Sequence, residues 1–268
     1  MKSILFTFSF CYLFVYQQLF AINPIRDYVM TPEVFKMEYV DTTVVTSDDA
    51  ELHVWVMKTK AAEKKNTTFL IAGSDAGNMG YSLPYVFRLL ENGYDVVTFD
   101  YRGFGSSSDF EFNSNNVYHD EYITDFQTVV NWAKVYLEPK QLGVLAFSMG
   151  TLVSTAAYEE TPYDFLVGEG FVVDAQKIAA RVKETKDKTL VVPESAVEIE
   201  KRLKKIDIPI LILASTKDQV TTLADSESLM AGQMNRNLVT YDGDHLQGAA
   251  TMGIVKYAKV IDEFVIYL

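Results

Sequence analysis

From Phe35 onward the chain alternates short runs of β character with stretches of helical spacing, and this alternation narrows the possible folds more than any other feature. Residues 143–147 are continuously apolar, so a strand built from them has no face to offer water. Such strands belong inside a sheet covered on both sides, and the intervening helical stretches supply the cover. The order is that of a mostly parallel sheet. Residues 37–46 and 52–59 flank the polar turn Ser47-Asp48-Asp49-Ala50 and read as an antiparallel hairpin at the entrance to the domain. Further strands are predicted at 67–72, 94–99, 143–147, 165–168, 210–214 and 238–241, with helices over 81–91, 122–137, 151–158 and 252–267.

With 49% hydrophobic and 13% aromatic residues in 268, the chain can bury a sizeable core, and no repeat or low-complexity tract interrupts it. Residues 22–268 therefore read as one domain. Between 173 and 208 the composition turns charged and helix-favouring, which suits either a small cap or a crossover segment with a solvated face. The formal charge of −12 argues against sequence-independent binding to nucleic acid or to an anionic membrane surface, since both need clustered Lys and Arg.

Residues 1–21 have the pattern of a signal peptide: Lys2, an apolar run, the pair Gln17-Gln18, and a cleavage position after Ala21. Cleavage would place the mature chain outside the cytoplasm, secreted or periplasmic, with no stable membrane insertion. An uncleaved N-terminal membrane anchor is the alternative. The sole cysteine, Cys11, lies in this leader, so the mature chain would hold no disulfide. Asn66-Thr67-Thr68 matches a glycosylation sequon by pattern.

A serine hydroxyl becomes a nucleophile at neutral pH when a base lies within hydrogen-bond reach and an acid fixes the tautomer of that base. Ala146-Phe147-Ser148-Met149-Gly150 carries an apolar strand straight into a serine and then into a helix, with small residues where a sharp turn leaves no room for side chains. Among three histidines, His53 falls within the hairpin and His119 at a helix start, whereas His245 occupies the loop between the last strand and the last helix. The acid should follow a strand between serine and histidine. Asp218, just after the 210–214 run, meets this best, with Asp225 and Asp244 as alternatives. An oxyanion hole needs two backbone N–H donors. Met149 supplies one by position, and the loop Gly73-Ser74-Asp75-Ala76-Gly77 offers Ser74 or Asp75 for the second.

These motifs resemble the α/β-hydrolase superfamily over nearly the whole mature chain, and within it the small-lid branch of Bem46-like hydrolases. Ala76-Gly77-Asn78-Met79-Gly80 is similar to that branch's oxyanion-loop segment, and Phe99-Asp100-Tyr101-Arg102-Gly103-Phe104-Gly105-Ser106 to its aspartate-tyrosine-arginine-glycine turn. The resemblance implies an α/β-hydrolase fold with a mostly parallel sheet of roughly eight strands, helices on both faces and a short cap. It also implies the Ser148, Asp218, His245 triad and acyl substrates. The sequence departs from the branch at Ala72-Gly73, where relatives usually carry His-Gly, and at Ala146, where glycine is commoner.

The expected function is therefore acyl transfer to water by a secreted serine hydrolase, foremost a carboxylic ester hydrolase acting on a small-molecule acyl substrate. A peptidase or amidase with the same triad is the alternative within enzymes, and a binding protein that lost catalysis is the alternative outside them, suggested by the altered oxyanion loop. The mechanism calls for no cofactor and no metal, and adjacent His119, Asp120 and Glu121 read as a surface cluster.

Overall fold

The structure, a computed structural model, describes residues 21–268. The leader expected over 1–21, with Cys11, lies outside the described residues apart from Ala21.

After the two-residue β1 (Asn23–Pro24), a 3-10 turn at Pro32–Phe35 leads to the hairpin of β2 (Val40–Val45) and β3 (Glu51–Met57), which pair antiparallel with Thr43 opposite His53. The first hairpin strand begins later than its alternation suggests. Met37 and Tyr39 pack on the core ahead of the ladder rather than within it. Next come β4 (Thr67–Ala72) and β5 (Ala76–Gly77). The helix expected from 81 is α1 (Leu83–Glu91), because a 3-10 turn at Met79–Ser82, capped by the Asn78 side chain, occupies the residues before it.

The chain then alternates as expected: β6 (Asp95–Phe99), α2 (Asp120–Leu137), β7 (Gln141–Phe147), α3 (Met149–Ala157) and β8 (Phe165–Glu169). Residues 173–208 form α4 (Ala175–Lys186), α5 (Glu194–Val197) and α6 (Ile199–Lys205), with α6 packed on α3. The chain closes with β9 (Ile210–Ser215), α7 (Leu223–Ser228), β10 (Arg236–Tyr241), α8 (Gly248–Met252) and α9 (Ile254–Ile266). The last helix, expected as one piece over 252–267, is thus divided at Gly253, whose φ of 83° breaks the helical path.

Eight strands form one sheet in the order β10-β9-β8-β7-β4-β6-β3-β2, antiparallel only across β6-β3-β2. Alternate side chains of each central strand enter different cores. Leu70, Ala72, Val144 and Ala146 join Phe126 and Val130 of α2 and Leu152 of α3. Phe69, Ile71, Leu145 and Phe147 join Leu83 and Val86 of α1 and Tyr257 and Ile261 of α9. Each large side chain so buried contributes about 1.5–3 kcal/mol, which is why these strands carry no polar alternation. The chain leaves β4 for β6 on one side and returns as β7 on the other, so a crevice opens at the carboxyl ends of β4 and β7.

The turn after β6 is tied down by buried charge. Arg102 donates from Nε and Nη2 to Asp125 Oδ1 at 2.8 and 2.7 Å and reaches Asp48 through Nη1 at 2.6 Å. Asp125, on α2, also accepts the Arg102 backbone N–H at 2.9 Å. Both side chains are nearly inaccessible, and Arg102 keeps Asp48 as a second partner, so it is removal of Arg102 that strands a buried charge, that of Asp125. Arg102→Met is expected to cost about 3–5 kcal/mol in urea unfolding at pH 7. Lys183→Ala, which breaks the exposed Lys183–Asp187 pair, should stay within about 0.5 kcal/mol. Similar losses from the two variants would contradict this account.

Candidate active site

Ser148 joins β7 to α3 with φ 47° and ψ −110°, a conformation that side chains with a Cβ rarely adopt. The surroundings hold it there. Ser148 N–H donates to the Glu169 carbonyl at 2.9 Å, while the Ser148 carbonyl accepts from Thr151 N at 2.9 Å and Thr151 Oγ1 at 2.7 Å. Thr151 Oγ1 in turn accepts from Val172 N at 2.9 Å. Small neighbours are obligatory: a Cβ at Gly150 would meet the Ala72 and Gly73 carbonyl groups, and one at Gly168 would lie 2.5 Å from the Phe171 ring.

The loop between β10 and α8 delivers His245 to this turn. Its Nε2 lies 3.0 Å from Ser148 Oγ, and its Nδ1 lies 2.6 Å from Asp218 Oδ2. Because an ionised carboxylate can only accept, Nδ1 carries the proton and Nε2 faces the hydroxyl as an acceptor. Asp218, in the loop after β9, is 6% exposed and accepts also from the Val220 and Thr221 amides at 2.7 and 3.0 Å and from Thr221 Oγ1 at 2.6 Å. The three sequence-predicted residues thus stand in one hydrogen-bonded chain.

The alternatives are engaged elsewhere. Asp225 completes the capping box of α7 with Thr222 and forms an ion pair with Arg181, and Asp244 is exposed, while His245 Nδ1 is bonded to Asp218. His53 bonds Asp41 and Tyr28 in the hairpin, and His119 Nε2 accepts from Asn113 N at 3.1 Å.

Burial would push the Asp218 carboxyl up, but the hydrogen bond and charge of His245, with Thr221 and the Val220 amide, hold it below its ordinary value. Burial would lower the His245 imidazole. The hydrogen bond and charge of Asp218, joined by the charges of Asp75 and Glu169, outweigh this and raise it. Asp75 is pushed up to about 6 by burial, against the opposing charges of His245 and Lys188.

Next to Ser148, α3 begins at Met149, and the β4–β5 loop that carries Ser74 and Asp75 lies against Gly150 through the Gly73 carbonyl. Among the described residues no acceptor takes up the Met149 and Ser74 N–H groups, while the Asp75 amide bonds its own carboxyl. The Ser74 hydroxyl turns back on its own loop, donating to the Ala76 carbonyl at 3.2 Å. The loop is pinned from outside by the β1–β5 ribbon: Asn23 N donates to the Asp75 carbonyl at 2.7 Å and Ile25 N to that of Gly77 at 2.8 Å. Unpaired amides in the segments beside a nucleophile that also contacts a base can carry acyl transfer.

Three participants are absent from the sequence reading. Thr221 orients Asp218, Glu169 anchors the loop behind His245, and Gly170, at φ 64°, leaves space for the imidazole. A lone acid ending the apolar 165–168 run was the one available signal for Glu169.

A family profile described as the alpha/beta hydrolase fold matches residues 71–164. The uncharacterized protein YfhR of Salmonella typhimurium is 26% identical over 239 residues, covering 76% of this chain and 73% of its own length. Protein bem46 of Schizosaccharomyces pombe is 33% identical over 85 residues, 31% of this chain and 28% of its own. Among solved structures, the Pyrococcus furiosus esterase Pf2001 superposes with a TM-score of 0.75 at 22% identity, covering 92% of this chain and 97% of that one. At that identity the likeness is one of fold.

A Cβ at Gly170 would lie 2.7 Å from His245 Cε1 and 3.3 Å from Nδ1. Gly170→Ala is therefore expected to displace the imidazole while leaving the sheet intact, at a cost of about 1–2 kcal/mol. The low-field proton resonance of the Nδ1–H bonded to Asp218 should disappear or broaden. An unaltered resonance and an unaltered melting temperature would show that the glycine is dispensable.

Proposed function

The chain belongs to the α/β-hydrolase superfamily, and on that premise we propose that it is a serine hydrolase of carboxylic esters, with Ser148 as nucleophile, His245 as general base and Asp218 orienting that base. The observation that carries this reading is the contact of Ser148 Oγ with His245 Nε2 at 3.0 Å, continued by His245 Nδ1 to Asp218 at 2.6 Å.

In the proposed cycle His245 Nε2 takes the Ser148 proton as Oγ attacks the acyl carbonyl. The Met149 amide and an amide of Ser74 or Asp75 receive the developing oxyanion. Collapse of the tetrahedral intermediate expels the alcohol, which His245 protonates. Water then repeats the sequence on the acyl-enzyme, with His245 again taking a proton and returning it to Ser148. Asp218 stays ionised throughout, its carboxylate held by four donors. The similarity in fold to the Pyrococcus furiosus esterase supports esters over amides. The leader pattern of residues 1–21 supports action outside the cytoplasm.

A fluorophosphonate probe is expected to label the wild type and not Ser148→Ala. Turnover of a p-nitrophenyl acyl ester should fall by about 10³-fold or more in Ser148→Ala and His245→Ala with the fold retained. Preference for an aminoacyl-anilide panel over the ester would assign the site to amide chemistry, and an unlabelled wild type would remove the enzyme reading altogether.

The sign of the pH dependence follows from the raised imidazole. Attack needs neutral His245, so kcat/KM should rise with pH and reach half its plateau above the ~6.5 of an unperturbed histidine. Asp218→Asn removes the charge that raises it, so in that variant the limb should move to lower pH as the plateau falls. A wild-type limb below ~6.5 would contradict the electrostatics described.

A further inference from the structure

Glu169 is a buried carboxyl with no part in the proposed proton relay. It ends a strand that is otherwise apolar, and it is 0% exposed. A charge so placed is costly unless donors surround it. Three do: Tyr241 OH and the Gly248 amide each reach Oε1 at 2.8 Å, and Tyr257 OH reaches Oε2 at 2.7 Å. They come from β10, from the start of α8 and from α9, the elements that bracket the histidine loop.

The position of Glu169 links two parts of the site. Its backbone carbonyl accepts the Ser148 N–H, so the strained serine turn rests on it. Its side chain holds the amide of Gly248, three residues beyond His245, and a Cβ at Gly248 would lie 2.9 Å from Oε1, which leaves room for glycine. One residue therefore fixes the nucleophile turn through its main chain and the base-bearing loop through its carboxyl.

Resting on the serine-hydrolase reading above, we propose that Glu169 is a positioning residue for the relay: its carboxylate fastens the His245 loop and adds its charge to those of Asp218 and Asp75 around the imidazole, favouring the imidazolium that forms when Ser148 gives up its proton. The charged and titratable groups around the pair are few. His245 is faced by Asp218 from the loop after β9, by Asp75 from the loop after β4 and by Glu169 from β8, with the Ser148 and Thr221 hydroxyl groups in contact. Glu169 is faced by Tyr85 of α1, Tyr241 and Tyr257, besides His245. Burial raises the Glu169 carboxyl and the three donors pull it back. The tyrosines are raised by burial and by the Glu169 charge, which keeps them protonated as donors.

Glu169→Gln separates charge from shape. The amide oxygen can accept from Tyr241 and Gly248, and the amide N–H can donate to the Tyr257 oxygen, so the packing is preserved while the charge is lost. In the full chain, His245 is followed by imidazole NMR titration, with His53 and His119 assigned by substitution to Gln. The His245 midpoint is expected to move to lower pH in Glu169→Gln, the acidic limb of kcat/KM to move with it, and kcat to fall about threefold to tenfold with KM little changed. A folded Glu169→Gln in which His245 titrates as in the wild type overturns the proposal, leaving Glu169 a structural residue. Should the variant not fold, the wild type decides: the 13C carboxyl signal of Glu169 must remain that of a carboxylate across the pH range in which His245 titrates, and a protonated carboxyl there overturns the proposal. Neither NMR readout depends on turnover. A wild type that fails to label with fluorophosphonate thus counts against the enzyme reading, while the titrations still report on the link between Glu169 and His245.

Discussion

The backbone of Ser148 is the constraint on which the site depends. A φ of 47° with ψ −110° costs of order 1–3 kcal/mol for a residue with a Cβ, and it persists because its neighbours allow nothing else. β7 is paired on both edges, to β4 and β8, so the strand entering the turn cannot shift. The outgoing helix is set against the carbonyl end of β4, where Gly150 alone fits. Thr151 and Glu169 then claim the carbonyl and the amide of Ser148 itself. The result is a serine at 8% exposure at the carboxyl end of β7, where the sheet order reverses.

Around the single imidazole the protein places three carboxyl groups and treats each differently. Asp218 has four donors and is held low in spite of burial. Glu169 has three but lies deeper, and burial prevails. Asp75 is raised to about 6 by burial, which outweighs the charge of His245, its own backbone amide and the charge of Lys188. Hydrogen bonds and neighbouring charge set against the depth of burial, rather than residue type, decide how acidic each group is.

Much of this order is legible in the chain itself, for reasons that can be named. The 143–147 run can only be a doubly covered strand, and a serine followed by glycine at its end marks the turn. With only three histidines, position alone separates His245 from His53 and His119. What could not be read depends on proximity in space. Residues 37–39 alternate as a strand does, yet Met37 and Tyr39 find better burial on the core than in the ladder. Gly253 sits in a helical pattern that its backbone then breaks, and Gly170 looks like any other loop glycine until an imidazole lies against it. Nothing local to Asn23–Pro24 shows that it braces the loop of Ser74 and Asp75.

The relay spans a long stretch of chain: Ser148 and His245 are 97 residues apart, and Glu169 is met by Tyr257 from the first turn of α9. During synthesis the serine turn can form as soon as β4, β7 and β8 have paired, well before its partner imidazole has left the ribosome. The nascent protein therefore carries a shaped but inert alcohol until the loop of His245 arrives and docks. Docking of that loop, rather than pairing of the strands around the serine, is the step that would switch reactivity on.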